Sequence, residues 1–327
     1  MPSEFSRRDF LKASTGFVSA AALLGGSQSF GGDNEPTQLP RYALGATGIA
    51  VSALSFGCGR FWQQLPDGQW EPILETALKH GVNYFDEADG YDFEHKNPHS
   101  EVRLGMALKG RRNSVHICSK FDERDPEKAK RTLDKILTRL QTDHLDVLMA
   151  HDVRADEKDP ALMEKGIYAQ MLKWKEEGLT RHVGFSSMMT DGKLLRRYIE
   201  VLNPEVVLMA INSTKHIANA REALPAAKAR NCGVLAMKML RDIVGKEGSK
   251  ASELLSHGWQ QSGVCSLCVG HSNVAELEDN IRTVQRLALG HPLADHRATE
   301  AKMAHLGTPE HLSWARPEYF DRGPRRA

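Results

Sequence analysis

Eight short apolar runs, separated by stretches with helical hydrophobic spacing, are the feature of this sequence that most restricts its fold. Each run is five to seven residues long, which is the length of a buried parallel strand. The runs are Ala53–Gly57, Val82–Asp86, Val115–Lys120, Leu145–His151, His182–Ser186, Val206–Asn212, Val234–Lys238 and Val264–Gly270. Eight strand–helix units at a spacing of roughly 30 residues predict an α/β fold, a (β/α)8 TIM barrel.

The stretches between the runs carry helix signals. Pro72–His80, Pro126–Leu140 and Pro160–Glu177 each place apolar residues on one helical face. Two of them begin with Asp-Pro, a common helix start. An open doubly wound sheet is the competing fold, but it is disfavoured because Gly57-Cys58-Gly59, at the end of the first run, leads into Arg60-Phe61-Trp62 and so does not form a Gly-x-Gly-x-x-Gly motif.

Two further segments flank the barrel, which we expect to span residues 40–290. Arg41–Gly45 and Ile49–Leu54 surround a short turn and predict an N-terminal β-hairpin that plugs one end of the barrel. Residues 291–327 lack a clear period and are expected to form a C-terminal extension lying over the barrel. The aromatic residues there either line a substrate pocket with Trp62 or pack the tail down; they are Trp314, Tyr319 and Phe320.

Composition excludes several classes of protein. The 327 residues include 43 Lys and Arg against 42 Asp and Glu, so there is no electrostatic basis for binding nucleic acid. A hydrophobic fraction of 41% is that of a globular chain rather than a disordered or fibrous one. No apolar stretch reaches about 18 residues, so no stable membrane insertion is expected.

The N-terminus has the features of an export signal. Arg7-Arg8 and the following Phe10-Leu11-Lys12 precede a mild apolar run, Phe17–Leu24, as in twin-arginine signals. We predict that residues 1–32 are a signal peptide read by the twin-arginine export machinery, and that the mature protein is periplasmic. The alternative is a frayed basic N-terminus. The cleavage site stays open.

Four polar residues lie where predicted strands end. Asp86 ends the second run and Tyr91 follows it, Lys120 ends the third, and His151 ends the fourth. In a barrel these positions share the carboxyl-terminal rim, where catalytic groups gather. An ordinary tyrosine has a pKa of about 10, and a nearby ammonium lowers it. We therefore expect Lys120, paired with Asp86, to make Tyr91 a proton donor, while His151 orients a carbonyl oxygen.

Taken together, these motifs resemble the aldo/keto reductase family. Asn83–Tyr91 is similar to the family's Asp and Tyr signature, and Lys120 and His151 match its remaining catalytic positions. Gly178–Ser186 resembles its fifth-strand motif, and Gly270–Asn280 its cofactor segment. The resemblance implies NADPH or NADH as hydride donor and a small-molecule carbonyl substrate, reduced to an alcohol with Tyr91 as general acid. It implies cofactor contacts by Gly57, Ser186, Ser187, Asn212, Lys238, Gly270, Ser272, Glu276 and Asn280.

The departures from the family pattern fall on the cofactor side. Ser187 stands where the family commonly has Asn, and Leu208 where it has Gln, so the nicotinamide carboxamide has fewer hydrogen-bonding partners. Gly270–Asn280 contains no Lys or Arg to bind a 2′-phosphate, which favours weak or absent NADPH preference. Glu276 either accepts from a ribose hydroxyl or is a solvated residue on a helix face.

Other chemistries have weaker support. Cys265 and Cys268 form a Cys-x-x-Cys, but no second pair completes a zinc or iron–sulfur site, and no His-Glu-x-x-His occurs. We predict no metal site. A nucleotide-binding regulatory or sensory barrel with little turnover is the alternative to the enzyme; the altered carboxamide contacts favour it, and the four catalytic-type residues oppose it.

Overall fold

The computed structural model describes residues 38–93 and 97–321. Its strands are β1 (Arg41–Ala43), β2 (Ala50–Ser52), β3 (Leu54–Gly57), β4 (Tyr84–Asp86), β5 (His116–Phe121), β6 (Leu145–Ala150), β7 (Thr180–Ser187), β8 (Val206–Ala210), β9 (Gly233–Met237) and β10 (Val264–Val269). Its α-helices are α1 (Arg60–Gln63), α2 (Trp70–Lys79), α3 (Ser100–Ala107), α4 (Pro126–Leu140), α5 (Pro160–Met163), α6 (Ala169–Glu176), α7 (Gly192–Leu202), α8 (Ile217–Ala229), α9 (Ala251–Trp259), α10 (Val274–Ala288) and α11 (His296–Met303). The predicted export signal lies outside the described residues.

Strands β3 to β10 form a closed parallel barrel. The order is β10-β3-β4-β5-β6-β7-β8-β9, so each strand pairs with its neighbour in the chain and β10 returns to β3. The closing pair aligns Leu267 with Leu54, and a register shift between Val264 and Ser266 interrupts the pairing of β10 with β9. The predicted TIM barrel is therefore confirmed, and the open sheet is excluded.

Alternation along the strands separates two apolar layers. In β6, Val147 and Met149 belong to the cluster inside the barrel, whereas Leu148 and Ala150 pack outward against the helices. The same alternation places Tyr84 and Cys118 inside. Because side chains two residues apart share a face, the next inward positions on these strands are those of Asp86, Lys120 and His151.

Local capping accounts for the helix boundaries. In α4, the Asp125 side chain accepts a hydrogen bond from the Lys128 backbone N–H, Pro126 opens the first turn, and Gln141 ends the helix in the left-handed conformation. This helix was predicted with the same boundaries. The predicted single helix Pro160–Glu177 is instead broken into α5, a π-helical turn (Glu164–Tyr168) and α6, because Gly166 adopts a non-helical backbone conformation.

The N-terminal hairpin is confirmed and lies against the barrel. Strands β1 and β2 pair antiparallel, and the turn between them places the fully buried Leu44 in the interior cluster. Gly45 has a φ of +57°, and a Cβ there would lie 2.3 Å from the Gly233 nitrogen at the start of β9. Only glycine allows this approach, which brings Leu44 into the amino-terminal end of the barrel.

The C-terminal extension crosses to the opposite end. After α11, the chain buries Leu312 and Trp314 and continues to Asp321. The side chain of Arg154, in the loop after β6, donates to the backbone oxygens of Tyr319 (2.6 Å) and Pro317. Residues 315–321, here called the tail, are thereby held at the carboxyl-terminal mouth. Among the described residues, no helix combines the length and apolar character needed to cross a bilayer.

Candidate active site

Asp86, Lys120 and His151 converge at the carboxyl-terminal mouth of the barrel. Asp86 and Lys120 lie at the ends of the adjacent strands β4 and β5, and His151 directly follows β6. All three are almost completely buried, with exposed fractions of 3%, 1% and 3%. Their shared inward direction follows from the strand alternation described above.

The Lys120 ammonium is held by two acceptors. Its Nζ donates to Asp86 Oδ1 at 2.7 Å and to the Glu87 backbone oxygen at 2.5 Å. Burial, the largest single influence, lowers the pKa of Lys120, but the charge and hydrogen bond of Asp86, with smaller contributions from Cys118 and Cys268, raise it overall. Lys120 is therefore a permanent buried cation, neutralised by Asp86.

Tyr91 joins this pair from the loop after β4. Its ring lies under Lys120, with Nζ 5.1 Å from the ring centroid, and packs edge-on against His151 at a centroid distance of 6.1 Å. Gly59 lies close beside it, and a Cβ there would lie 3.3 Å from the Tyr91 Cζ atom, so a larger residue would press on the ring. The four residues that the sequence places at strand ends thus form one cluster.

The expectation that Lys120 lowers the pKa of Tyr91 is wrong for this structure. Burial raises the pKa of Tyr91 well above its ordinary value, and the carboxylates of Asp321 and Asp86 add to the effect. The Lys120 ammonium favours the phenolate, but the Asp86 carboxylate beside it opposes that effect, so the pair does not reverse the rise in the pKa of Tyr91. Tyr91 is consequently a fully protonated phenol at neutral pH.

Two carboxylates near His151 were missed by the sequence analysis. Asp122 Oδ1 lies 2.9 Å from His151 Nδ1, and Asp321 Oδ2 lies 4.0 Å from His151 Nε2. Asp122 is two residues beyond Lys120, so its position on a strand end was a usable signal. Asp321 comes from the tail, whose path no local pattern indicates.

A cavity of about 430 Å³ opens beside the cluster. It is lined by Asp86 and Tyr91 together with Asp321 from the tail. The predicted cofactor-binding residues that also line it are Gly57, Lys238, Gly270, Ser272, Glu276 and Asn280. The volume is within the usual range for small-molecule sites, about 300–1,000 Å³.

Three other predicted cofactor residues do not line this cavity. The Ser186 hydroxyl accepts from the Asp152 backbone N–H at 3.0 Å, and the Ser187 hydroxyl donates to the Val153 oxygen at 2.6 Å. The Asn212 amide donates to the Lys238 backbone oxygen at 2.8 Å. All three are buried, and their side chains stabilise the loops at the mouth. Leu208 packs in the apolar interior of the barrel.

The far end of the cavity meets the first turn of α10. Glu276 Oε2 accepts from both the Ser272 hydroxyl (2.7 Å) and the Ser272 backbone N–H (3.0 Å). Asp279 also lines the cavity and forms an ion pair with Arg282. Because Arg282 is already paired with Asp279, the carboxylates leave this end of the cavity acidic.

One trio of described residues, Asp89, His99 and Glu101, has ligand atoms close enough to hold a metal ion. Arg139 already donates from Nη1 to Asp89 (2.6 Å) and to Glu101 (3.1 Å). The guanidinium supplies the positive charge that the two carboxylates require. All five cysteines are free thiols.

A comparison of sequence profiles decides the family. The profile described as "Aldo/keto reductase family" matches residues 53–241, more than half of the chain. The chain belongs to the aldo/keto reductase family. Aldo/keto reductases use NAD(P)H, so the protein is an NAD(P)-dependent oxidoreductase.

Comparisons with individual proteins agree with the assignment to the aldo/keto reductase family. The chain is 26% identical over 322 residues to L-galactose dehydrogenase of Arabidopsis thaliana, covering 85% of this chain and 98% of the relative. It is 25% identical to D-threo-aldose 1-dehydrogenase of a Pseudomonas species, covering 59% and 67%. An aldo-keto reductase of Bacillus halodurans, solved in its holo form, has the same fold, with a TM-score of 0.66, 20% identity and coverage of 82% and 97%.

Proposed function

We propose that this aldo/keto reductase reduces an aldehyde or ketone to an alcohol, with Tyr91 as the general acid. The observation that supports this most strongly is the cluster of Tyr91, Lys120 and His151 beside one cavity. A bound reduced nicotinamide would supply a hydride to the carbonyl carbon. The protein has to supply a proton and hold the carbonyl oxygen.

Tyr91, Lys120 and His151 each carry out one part of supplying the proton and holding the oxygen. Tyr91, kept protonated by its surroundings, gives its proton to the oxygen as negative charge develops there. An alkoxide is a much stronger base than a phenolate, so the transfer is favourable even though the pKa of Tyr91 is raised. Lys120 lies close enough to stabilise the phenolate that forms, and His151 donates a hydrogen bond that orients the oxygen.

The cavity is suited to a dinucleotide without a 2′-phosphate, and we propose a preference for NADH over NADPH. Arg60 and Arg241 line it and suit a diphosphate. At the α10 end, Glu276 and Asp279 would repel a 2′-phosphate but accept from a ribose hydroxyl. Steady-state kinetics with both cofactors tests this, since a strong preference for NADPH would contradict it.

Replacing Tyr91 with Phe tests the general acid. The phenyl ring keeps the packing against Gly59 and His151 but has no proton to give, so kcat should fall by about 10²–10⁴-fold. Cofactor affinity, measured by nucleotide fluorescence, should stay nearly unchanged. Tyr168→Phe is the matched control, because Tyr168 is buried among the outer core residues and its hydroxyl has no protein partner.

Unchanged turnover by Tyr91→Phe would contradict the assigned role.

A second candidate function, a nucleotide-binding barrel with little turnover, is favoured by the Ser187 and Asn212 side chains, which already bond to the backbone. Nucleotide binding by the wild type without reduction of any aldehyde or ketone tested would support this candidate instead.

We also propose that the protein is exported as a folded unit through the twin-arginine route and acts in the periplasm. The support is the Arg7-Arg8 motif and the apolar run that follows. Because free nicotinamide cofactor is scarce there, the proposal includes loading of the cofactor before export.

A further inference from the structure

The tail places a carboxylate in the catalytic cavity. We propose that Asp321 is a specificity-determining residue, which selects carbonyl substrates that carry a hydroxyl group next to the reacting carbon. The inference rests on the proposed reductase function and deepens it by naming the substrate class.

One carboxylate oxygen of Asp321 already accepts hydrogen bonds within the protein, and the other faces the catalytic cluster. Oδ1 accepts from Lys238 Nζ at 2.7 Å and from the Tyr319 hydroxyl at 2.9 Å. Oδ2 lies 4.0 Å from His151 Nε2, which is beyond hydrogen-bonding distance. A substrate whose carbonyl oxygen binds His151 therefore comes close to a carboxylate oxygen that can still accept a hydrogen bond.

Contacts on both sides of the mouth fix this carboxylate in place. Arg154 holds the tail backbone at Tyr319 and Pro317. On the other side, the Arg241 guanidinium lies 5.5 Å from the Tyr319 ring centroid. Lys238 adopts a positive φ of +63°, a conformation that costs energy for a non-glycine residue. A carboxylate held by so many contacts is a built part of the cavity, and it is only 8% exposed.

The chemistry of the Lys238–Asp321 pair favours hydroxyl groups. Lys238 neutralises Asp321, so the pair has no net charge to attract either an ammonium group or an anion. Lys238 has donors left and Asp321 Oδ2 can accept, which matches a hydroxyl group that does both. An apolar substrate would desolvate Oδ2 without replacing its hydrogen bond, and sites of this kind strongly reject such analogues.

Asp321 also acts on the proton donor. Its charge is, after burial, the largest contribution that raises the pKa of Tyr91. Removing that charge should lower the pKa of Tyr91 and move the alkaline limb of the kcat/KM profile to lower pH. A merely structural role for Asp321 would not move this limb.

The test compares two three-carbon aldehydes that differ in hydroxyl groups, glyceraldehyde and propanal. The wild type should favour glyceraldehyde in kcat/KM by about 10- to 100-fold, the value of one charge-assisted hydrogen bond. Asp321→Ala should reduce this ratio at least tenfold, because kcat/KM should fall much more for glyceraldehyde than for propanal. Asp321→Asn, which keeps the shape of the side chain, should reduce the ratio less but move the alkaline limb.

Glu318→Gln is the matched control, because Glu318 is an exposed carboxylate of the same tail; its ratio and pH profile should equal those of the wild type. Saturation-transfer NMR with erythritol gives a readout independent of turnover, and the signal should weaken in both Asp321 variants. A wild-type ratio near one, or a ratio unchanged in Asp321→Ala and Asp321→Asn, would overturn the inference. Absence of turnover of both aldehydes by the wild type would overturn the proposed function, and the inference with it.

Discussion

Asp86 and Lys120 form an ion pair that is almost fully buried. Their exposed fractions, 3% and 1%, mean that each charge depends on the other for solvation. Breaking such a pair from one side costs about 3–5 kcal/mol, whereas replacing both partners by well-packed apolar residues of similar volume often costs almost no stability. Stability and catalysis can therefore be separated experimentally at this pair.

We expect Lys120→Met to lower the free energy of unfolding by about 3–5 kcal/mol and to abolish most turnover. The double variant Asp86→Leu with Lys120→Met should recover much of the stability but none of the activity, because no cation then stabilises the Tyr91 phenolate. Urea denaturation and kcat measurements check both parts. Recovery of activity in the double variant would show that Lys120 acts only structurally.

His271 makes stability depend on pH. Its ring is 1% exposed, packs at a tilt against Phe56 with a centroid distance of 5.7 Å, and has no hydrogen-bond partner in the protein at either nitrogen. Burial lowers the pKa of His271 to about 4, although Glu276 opposes the shift. An unfolded histidine has a pKa of about 6.5, so between pH 6.5 and 4 the unfolded chain holds a proton that the folded chain does not.

Titration of His271 therefore leaves the free energy of unfolding unchanged above about pH 6.5 and lowers it as the pH falls from there toward 4. Wild type should lose about 2 kcal/mol of unfolding free energy at pH 5 through this residue. His271→Leu should remove that part of the pH dependence, as followed by urea denaturation at pH 7 and pH 5. His291→Leu, at an exposed position, should leave it intact; equal pH dependence in both variants would refute the assignment.

Among the strands and helices, the hairpin β1–β2 has the clearest energetic role. Leu44 is fully buried in the interior cluster, at the end of the barrel opposite the catalytic mouth. Leu44→Ala should lower the free energy of unfolding by about 2–5 kcal/mol with little change in kcat. Leu162→Ala, where Leu162 is 74% exposed, is the control and should cost much less. Loss of kcat without loss of stability in Leu44→Ala would contradict this role.

The sequence predicts the boundaries of an element well when the interactions that set them lie within the element or directly beside it. The boundaries of α4 follow from Asp125, Pro126 and a single apolar face, all within the helix or beside it. The break at Gly166 was not predicted, since an apolar face continues through it. Strand ends shifted by one or two residues, because pairing with neighbouring strands rather than the apolar run sets them.

The same distinction applies to the candidate site. The inward alternation along strands β4, β5 and β6 is a local property, so it placed Asp86, Lys120 and His151 together. The effect of Asp321 on Tyr91 depends on where the tail lies after the whole barrel has closed. Neither the raised pKa of Tyr91 nor the engagement of Ser187 with Val153 could be derived without the fold.

For the chain as a whole, the export proposal makes two linked predictions. Replacing Arg7 and Arg8 with Lys should retain the protein in the cytoplasm, as followed by cell fractionation, because the paired arginines are the export address. Mass spectrometry of mature wild-type protein from the periplasm should find bound nicotinamide nucleotide. Correct export of the variant would refute the route, and nucleotide-free mature protein would refute loading before export.

The tail also bears on how the enzyme is assembled and handled. Asp321 comes after all eight barrel strands in the sequence. During synthesis, the barrel can therefore close before the residue that selects the substrate has been added. A chain cut before Pro317 would keep Tyr91, Lys120 and His151 but lose discrimination among aldehydes.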